Sequence, residues 1–321
     1  MKFRAGTLRW ALALGAALGV GCGGESEPTA ASGPTIGFVM KTLNNPFFID
    51  MERGAKAAAA ERGARLIVQA PERELDIEKQ MQIIENLIER RVDALCVTPS
   101  GSREIVSAIV KANAAGVPAL VVDTRVDAEA AAAAGARVLT FIGSDNEAGG
   151  RLAGRKLVEL LGGRGRVVVL EGIPGHETGD ARLRGFRQAL ASAPEIEIVA
   201  SQTAHWERDQ GFTVMQNLLQ AHPDVDGVFA CNDMMALGAI EAIAAAGRTD
   251  RVRVVGFDAI DDARQAIREG RLAGSVAQHP EAMGRMAVEM ALKALAGETL
   301  PPEIATPVEV IDAGNVAAAD P

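Results

Sequence analysis

TIGFVM (35–40), KTLNNPFF (41–48), IDMERGAKAAAAERGA (49–64) and RLIVQ (65–69) follow one another without a break, and their order decides the fold. A short β-branched run, a polar turn, a stretch of helical period and a second β-branched run make one βαβ unit, whose two strands lie parallel in a sheet. Downstream the alternation continues. Strands are predicted at 93–97 (DALCV), 118–122 (PALVV) and 138–142 (VLTFI), with helices in the gaps between the first four strands. A second series follows at 165–170 (GRVVVL), 196–201 (IEIVAS), 226–230 (DGVFA), 252–256 (VRVVG) and 273–277 (AGSVA), again separated by helices. Each series has about the number of strands that one open sheet holds, so the pattern predicts an α/β protein of two similar lobes with parallel sheets. The expected division is 35–144 plus 279–307 for the first lobe and 145–278 plus 308–321 for the second. Helix-start chemistry agrees: Asp145 precedes an acidic residue and an apolar run, and Asn232-Asp233 opens DMMALGAIEAIAAAG, ending at Gly247. Residues 128–136, almost all alanine, fit either a short helix or a loop.

Upstream of this pattern the chain reads as an address. Lys2, Arg4 and Arg9 precede an apolar stretch from Trp10 to Val20 that is too short to span a bilayer, as in an export signal over 1–21. Leu18-Gly19-Val20-Gly21-Cys22 resembles a bacterial lipobox, with Cys22 as the lipidated residue; ordinary cleavage after Gly21 is the alternative. Residues 22–34, polar and rich in Gly, Ser and Pro, make a flexible tether. Loss of Lys2, Arg4 and Arg9, with no acidic residue in that segment, takes the formal net charge from −9 to −12. Such a chain lacks the clustered cations that a nucleic-acid partner needs. The two remaining cysteines, Cys96 and Cys231, lie in or beside apolar runs and are expected buried and reduced.

In open parallel sheets, ligands bind where strands end at their carboxyl termini. That rule selects 41–48 after the first strand and 123–125 after the fourth. In the second lobe it selects 176–182, Trp206, 231–233, 257–258 and Gln278. Carboxylates, amides and a guanidinium at such positions suit paired hydroxyl groups, and aromatic faces cover the C–H surface of a sugar ring. The chain has no Tyr, nine Phe and two Trp, yet Phe47, Phe48, Trp206 and Phe257 stand at loop positions. Their alternative reading is as plugs at the tops of the cores.

TLNNPFF (42–48), SDN with its glycines (144–150), VMQNLLQAHPDV (214–225), VFACNDMMALGA (228–239) and VVGFDA (254–259) resemble the ribose-binding branch of the type I periplasmic binding proteins, over about residues 35–312. The resemblance implies two Rossmann-like lobes joined by a three-segment hinge, with a sugar held between them. It places Lys41, Asn45, Phe47, Phe48, Asp123, Arg182, Trp206, Asn232, Phe257, Asp258 and Gln278 at ligand-contacting positions. Lys41 stands where ribose binders have serine, and Thr124 where they have arginine, with Arg125 displaced by one. Lys41 and Trp206 are similar to the allose-binding relatives, so the expected ligand is a ribose-like pentose or an allose-like hexose. The implied role is the substrate-binding protein of an ABC importer, a monomer that works with a permease and its ATPase and is tied to the membrane by its lipid. A sugar sensor serving a chemoreceptor or histidine kinase is the alternative.

Other motifs carry less. Gly172-Ile-Pro-Gly-His-Glu-Thr-Gly179 lacks the Lys-Ser/Thr ending of a phosphate loop and is read as a flexible strand-to-helix connection. His176, His205, His222 and His279 have no metal-ligand spacing, so neither metal nor cofactor is expected. Asp233 is read as a helix cap, and Met283, Met286 and Met290 as core. A sugar-responsive repressor has the same fold but begins with a DNA-binding helix pair where this chain has its export signal. An enzyme needs a poised base or nucleophile, and no Ser-His-Asp grouping is present; Asp123 and Asp258 are the only candidate acid–base pair.

Overall fold

The computed structural model describes residues 33–318; the readings of the export signal, of Cys22 and of nearly all the tether lie outside the described residues. The first sheet is threaded by β1 (Thr35–Val39), α1 (Pro46–Arg62), β2 (Arg65–Gln69), α2 (Ile77–Glu89), β3 (Ala94–Val97), α3 (Val106–Ala114), β4 (Ala119–Val122), α4 (Ala128–Ala134) and β5 (Phe141–Ser144). The chain then passes to the second sheet through α5 (Asn146–Leu160), β6 (Arg164–Glu171), α6 (Glu177–Leu190), β7 (Glu195–Thr203) and α7 (Arg208–Ala221). It continues there with β8 (Gly227–Ala230), α8 (Asp233–Ala245), β9 (Arg253–Asp258), α9 (Asp261–Arg268) and β10 (Gly274–Ala277). Next, α10 (Pro280–Leu295) returns to pack on α1, β11 (Glu303–Thr306) joins the first sheet and β12 (Glu309–Ile311) the second.

The sheets are wound alike, in the orders β11-β5-β4-β3-β1-β2 and β12-β10-β9-β8-β6-β7, and only the β10–β12 pair is antiparallel. Strands β3, β4, β8 and β10 are buried at every residue, because helices cover both faces of a parallel sheet. In each sheet the order reverses beside the first strand, at β1 and at β6, and this opens a crevice at the carboxyl ends. The chain crosses between sheets three times, at 144–146, 277–280 and 306–309. Two of these crossings are tied together by Ser144 Oγ and Thr306 Oγ1, buried and 2.9 Å apart.

Four elements differ from expectation or were left open by it. The strand expected at 138–142 begins at Phe141, with Leu139 40 % exposed, because pairing with β11 runs from Phe141 to Ser144. Both β11 and β12 were not anticipated, being short, partly polar edge strands without alternation. The alanine-rich segment is helix: Asp127 Oδ1 accepts from the Ala130 N–H at its start, and Gly135 ends it at φ 68°. Cys96 and Cys231 are buried, free thiols, one in the first sheet and one just after β8. Met283 and Met290 are core residues of α10.

Reciprocal glycines bring helix pairs close. A Cβ on Gly54 would lie 1.9 Å from the Glu281 carbonyl oxygen and one on Gly284 1.9 Å from that of Met51, so α1 and α10 meet backbone to backbone. The same arrangement joins α5 to α6, where a Cβ on Gly150 would lie 2.0 Å from the Arg182 carbonyl oxygen and one on Gly185 2.0 Å from that of Glu147. A side chain there forces the helices apart, and overpacking of this kind costs about 2 kcal/mol or more. Gly150→Ala should therefore lower the thermal midpoint by roughly 5 °C in calorimetry. An unchanged midpoint would mean that the two helices separate freely.

Candidate functional site

A cavity lies between the carboxyl ends of the two sheets. From the first sheet it is lined by Lys41, Asn45, Phe47, Phe48, Glu74 and Asp123; from the second by Thr178, Arg182, Trp206, Asn232 and Asp258, with Gln278 at the second crossing. Ten of the eleven residues singled out in the sequence thus meet at one cavity. Phe257 does not line it: its ring lies beneath Arg182, with the guanidinium carbon 3.8 Å from the ring centroid.

Local structure presents each group. Asn45 caps α1, its Oδ1 accepting from the Phe47 N–H at 3.1 Å, and this start turns Phe47 and Phe48 inward as an edge-to-face pair. Lys41 Nζ stands 3.2 Å from Asp123 Oδ2, and both side chains are almost fully buried. Thr124 Oγ1 donates to that same carboxylate oxygen at 2.9 Å; with its proton so used, it accepts from Thr178 Oγ1 at 2.7 Å, a contact between the lobes. Arg125 turns away, pairing with Glu303 at 2.6 Å and lying over the Phe141 ring. The displaced arginine therefore does not replace the one that Thr124 lacks.

On the opposite wall Arg182 is held on several sides. Its Nε donates to Asn146 Oδ1 at 2.8 Å and its Nη1 to the Cys231 carbonyl at 2.6 Å, while Asp258 Oδ1 lies 3.5 Å from Nη1. Gln278 Nε2 donates to Asp258 Oδ1 at 2.8 Å, and Gln278 Oε1 is buried without a hydrogen-bond partner. Trp206 packs in the space left by Gly172, where a Cβ would lie 1.9 Å from the indole, and its Nε1 donates to His176 Nδ1. The glycine-rich loop expected to be a flexible connection is thus a strand-to-helix loop whose first glycine makes room for the indole.

Strain concentrates here. Six described non-glycine residues have positive φ, and three of them, Asp123 (65°), Trp206 (68°) and Asp258 (109°), line the cavity. The turn after β9 is held by Asp233, which is not the helix cap that the sequence predicted. Asn232 is the cap, accepting from the Met235 N–H and donating to the Trp206 carbonyl. The Asp233 carboxylate instead accepts from the Ile260 N–H at 3.0 Å and from Ser275 Oγ at 2.7 Å, and Ser275 Oγ accepts from the Ala259 N–H. A side chain that looks like a cap in sequence thus holds the backbone behind Asp258.

Burial sets the protonation. It pushes Asp258 up to about 7, opposed first by the Arg182 charge, and it pushes Asp233, with help from the Asp258 charge, well above the usual carboxylate range. Burial and the Lys41 charge push His176 down to about 3, so the imidazole is neutral and its Nδ1 can accept from Trp206. The Cys231 thiol, pushed up to about 12 by burial, is inert as a nucleophile. Among the described residues no group of three or more His, Cys, Asp or Glu is placed to hold a metal ion.

Two further residues line the cavity: Thr178, within the selected stretch 176–182 but given no ligand contact, and Glu74, outside every selected stretch. Glu74 follows β2, and the carboxyl-end rule applied to that strand would have found it. Its loop is anchored at the Glu72 carbonyl, which accepts from Thr42 Oγ1 at 2.9 Å and Asn44 Nδ2 at 2.8 Å. Gln80, which does not line the cavity and was also not singled out, joins the ends of β1 and β3 through bonds to the Met40 and Thr98 carbonyls and the Ser100 N–H.

Comparison with known proteins agrees with this architecture. A family model described as a periplasmic binding protein domain matches residues 36–299. The ribose import binding protein of Bacillus subtilis is 38 % identical over 276 residues, 86 % of each chain. The D-allose-binding periplasmic protein of Escherichia coli is 32 % identical, covering 85 % of this chain and 89 % of its own. A solved periplasmic solute binding protein of an ABC transporter from Actinobacillus succinogenes, with bound D-allose, superposes with a TM-score of 0.85 at 39 % identity, over 89 % of this chain and 99 % of its own. The matched span, the doubled sheet and the cavity between the sheets agree: the chain belongs to the periplasmic binding protein family.

Proposed function

We propose that this chain is the substrate-binding protein of a sugar ABC importer, not an enzyme, and that it captures one monosaccharide in the cavity between its lobes. The observation that carries the reading is the pair of buried ion pairs, Lys41–Asp123 and Arg182–Asp258, lining one cavity from opposite sheets beside Phe47, Phe48 and Trp206. Carboxylates and a guanidinium bind neighbouring hydroxyls in pairs, and the rings cover a C–H face. Twelve residues drawn from both sheets converge on this one cavity, an enclosure suited to a small ligand. Ribose and D-allose, named for the relatives, are the leading ligands, and Lys41 with Trp206 favours the hexose.

Capture works as a population shift between open and shut lobes. The lobes are 35–144 plus 279–307 and 145–278 plus 308–321, turning about the three crossings. Sugar favours the shut form because only there do both walls touch it, and Thr178–Thr124 and the Glu177 N–H donating to Ser102 Oγ add contacts across the cleft. The protein acts in the periplasm or cell envelope as a monomer, anchored by lipid at Cys22, and presents the loaded form to a permease and its ATPase. Cys22→Ser should move the protein from the membrane fraction to the soluble envelope fraction of its host; unchanged partition would remove the anchor.

Calorimetry with D-ribose and D-allose tests the site. Arg182→Ala or Asp258→Ala should weaken capture by on the order of 2–5 kcal/mol, because each leaves a buried charge without its partner, while circular dichroism stays native. Unchanged affinity in both variants would place the site elsewhere. The bound sugar should also be recovered chemically unchanged after long incubation with the protein, whereas any isomer or cleavage product would make it an enzyme.

A further inference from the structure

The charges lining the cavity do not balance. Lys41 and Arg182 face three carboxyl groups, Glu74, Asp123 and Asp258. Lys41 is spent on Asp123 at 3.2 Å and Arg182 on Asp258 at 3.5 Å, so no lining cation remains for Glu74. Glu74 is 7 % exposed and borders the cavity. Resting on the reading that this cavity takes a monosaccharide, we infer that Glu74 meets the ligand as a neutral carboxyl, donating its proton in a hydrogen bond to a sugar oxygen, so that capture takes up a proton from solution.

Burial is the largest influence on Glu74, and its charged neighbours pull in both directions. Lys41 after β1 favours the charged form, as does the Asn45 side chain at the start of α1, while Asp123 after β4 and Asp258 at the end of β9 oppose it. On its other side a second cavity brings Glu72, Arg73 and Glu207, of which Arg73 approaches Glu207 at 3.9 Å. Burial outweighs these and raises the group to about 7 before any ligand arrives. A sugar that displaces water from the cavity removes more solvation from the carboxylate and supplies an acceptor for the acid, and both effects favour the proton further.

The sign follows by linkage. A group that holds its proton more tightly in the complex makes affinity highest below its ligand-free value and lower as pH rises above about 7, by at most about tenfold per pH unit. Asp258 acts in the opposite sense. It is paired with Arg182, so a ligand that needs it ionised would release a proton and bind more tightly at higher pH.

Affinity for D-allose and D-ribose at about pH 6.5 and about pH 8.5, with binding heats compared in phosphate and Tris buffers, tests the inference. The wild-type protein should bind about tenfold or more weakly at the higher pH, and the dependence of heat on buffer near pH 7.5 should report proton uptake. Glu74→Gln, which keeps a donor but cannot ionise, should remove the fall in affinity at the higher pH, leaving the profile flat or reversed through Asp258, whatever its absolute affinity. A flat wild-type profile without proton uptake, or a fall at the higher pH that survives in Glu74→Gln, overturns the inference. Failure of both sugars to bind at either pH would instead overturn the proposed function, and this inference with it.

Discussion

Two ion pairs, Lys41 with Asp123 and Arg182 with Asp258, stand on opposite walls of one cavity with side chains at most 6 % exposed. Charges taken out of water are tolerable only when geometry and further hydrogen bonds replace the lost solvation. Much of the second lobe's upper end serves that need: Asn146 and the Cys231 carbonyl engage the Arg182 fork, Phe257 lies flat beneath it, and Gln278 holds Asp258. Asn146 opens the helix that follows the first crossing and Gln278 lies at the second. The connections between the sheets are therefore part of the arrangement that holds these charges.

Backbone strain and close helix contact serve the same end. Asp258 at φ 109° is held by Asp233 and Ser275 reaching into the turn behind it, while α6, which carries Arg182, lies against α5 at Gly150. A residue that binds through a charged group in a dry site has little freedom to be misplaced, since an error of an ångström leaves a charge unpaired. The scaffold places a strained backbone angle and a close helix contact beside these two residues.

Much of this was legible in the sequence. All ten main strands and the alternation of helices follow from β-branched runs and helical period, and the carboxyl-end rule gathers most of the lining residues before any family is considered. What escaped depends on contacts that have no local signature. The edge strands β11 and β12 exist because a neighbour offers them pairing, not because EIAT or EVI alternates. Phe257 and Asp233 were misplaced because sequence gives the end of a strand but not whether a side chain points into the cleft or beneath it. Glu74 is an exception, since the carboxyl-end rule applied to β2 reaches its loop, although the anchors of that loop, Thr42 and Asn44, lie about thirty residues earlier. Thr124 and Arg125 show the converse, where a one-residue displacement decides whether a guanidinium reaches the cavity or the surface.

The hydroxyl clasp between Ser144 and Thr306 has a mechanical consequence. Two of the three connecting segments are neighbouring strands bonded side chain to side chain at the point where they leave the sheet, so they twist as a single ribbon. The remaining strap at 277–280 then acts as an outrigger. In the proposed closure, two supports rather than three define an axle, and one lobe swivels about it against the other. Bulk added near that clasp would tilt the axle and alter the resting aperture of the cleft without touching any group that meets a ligand.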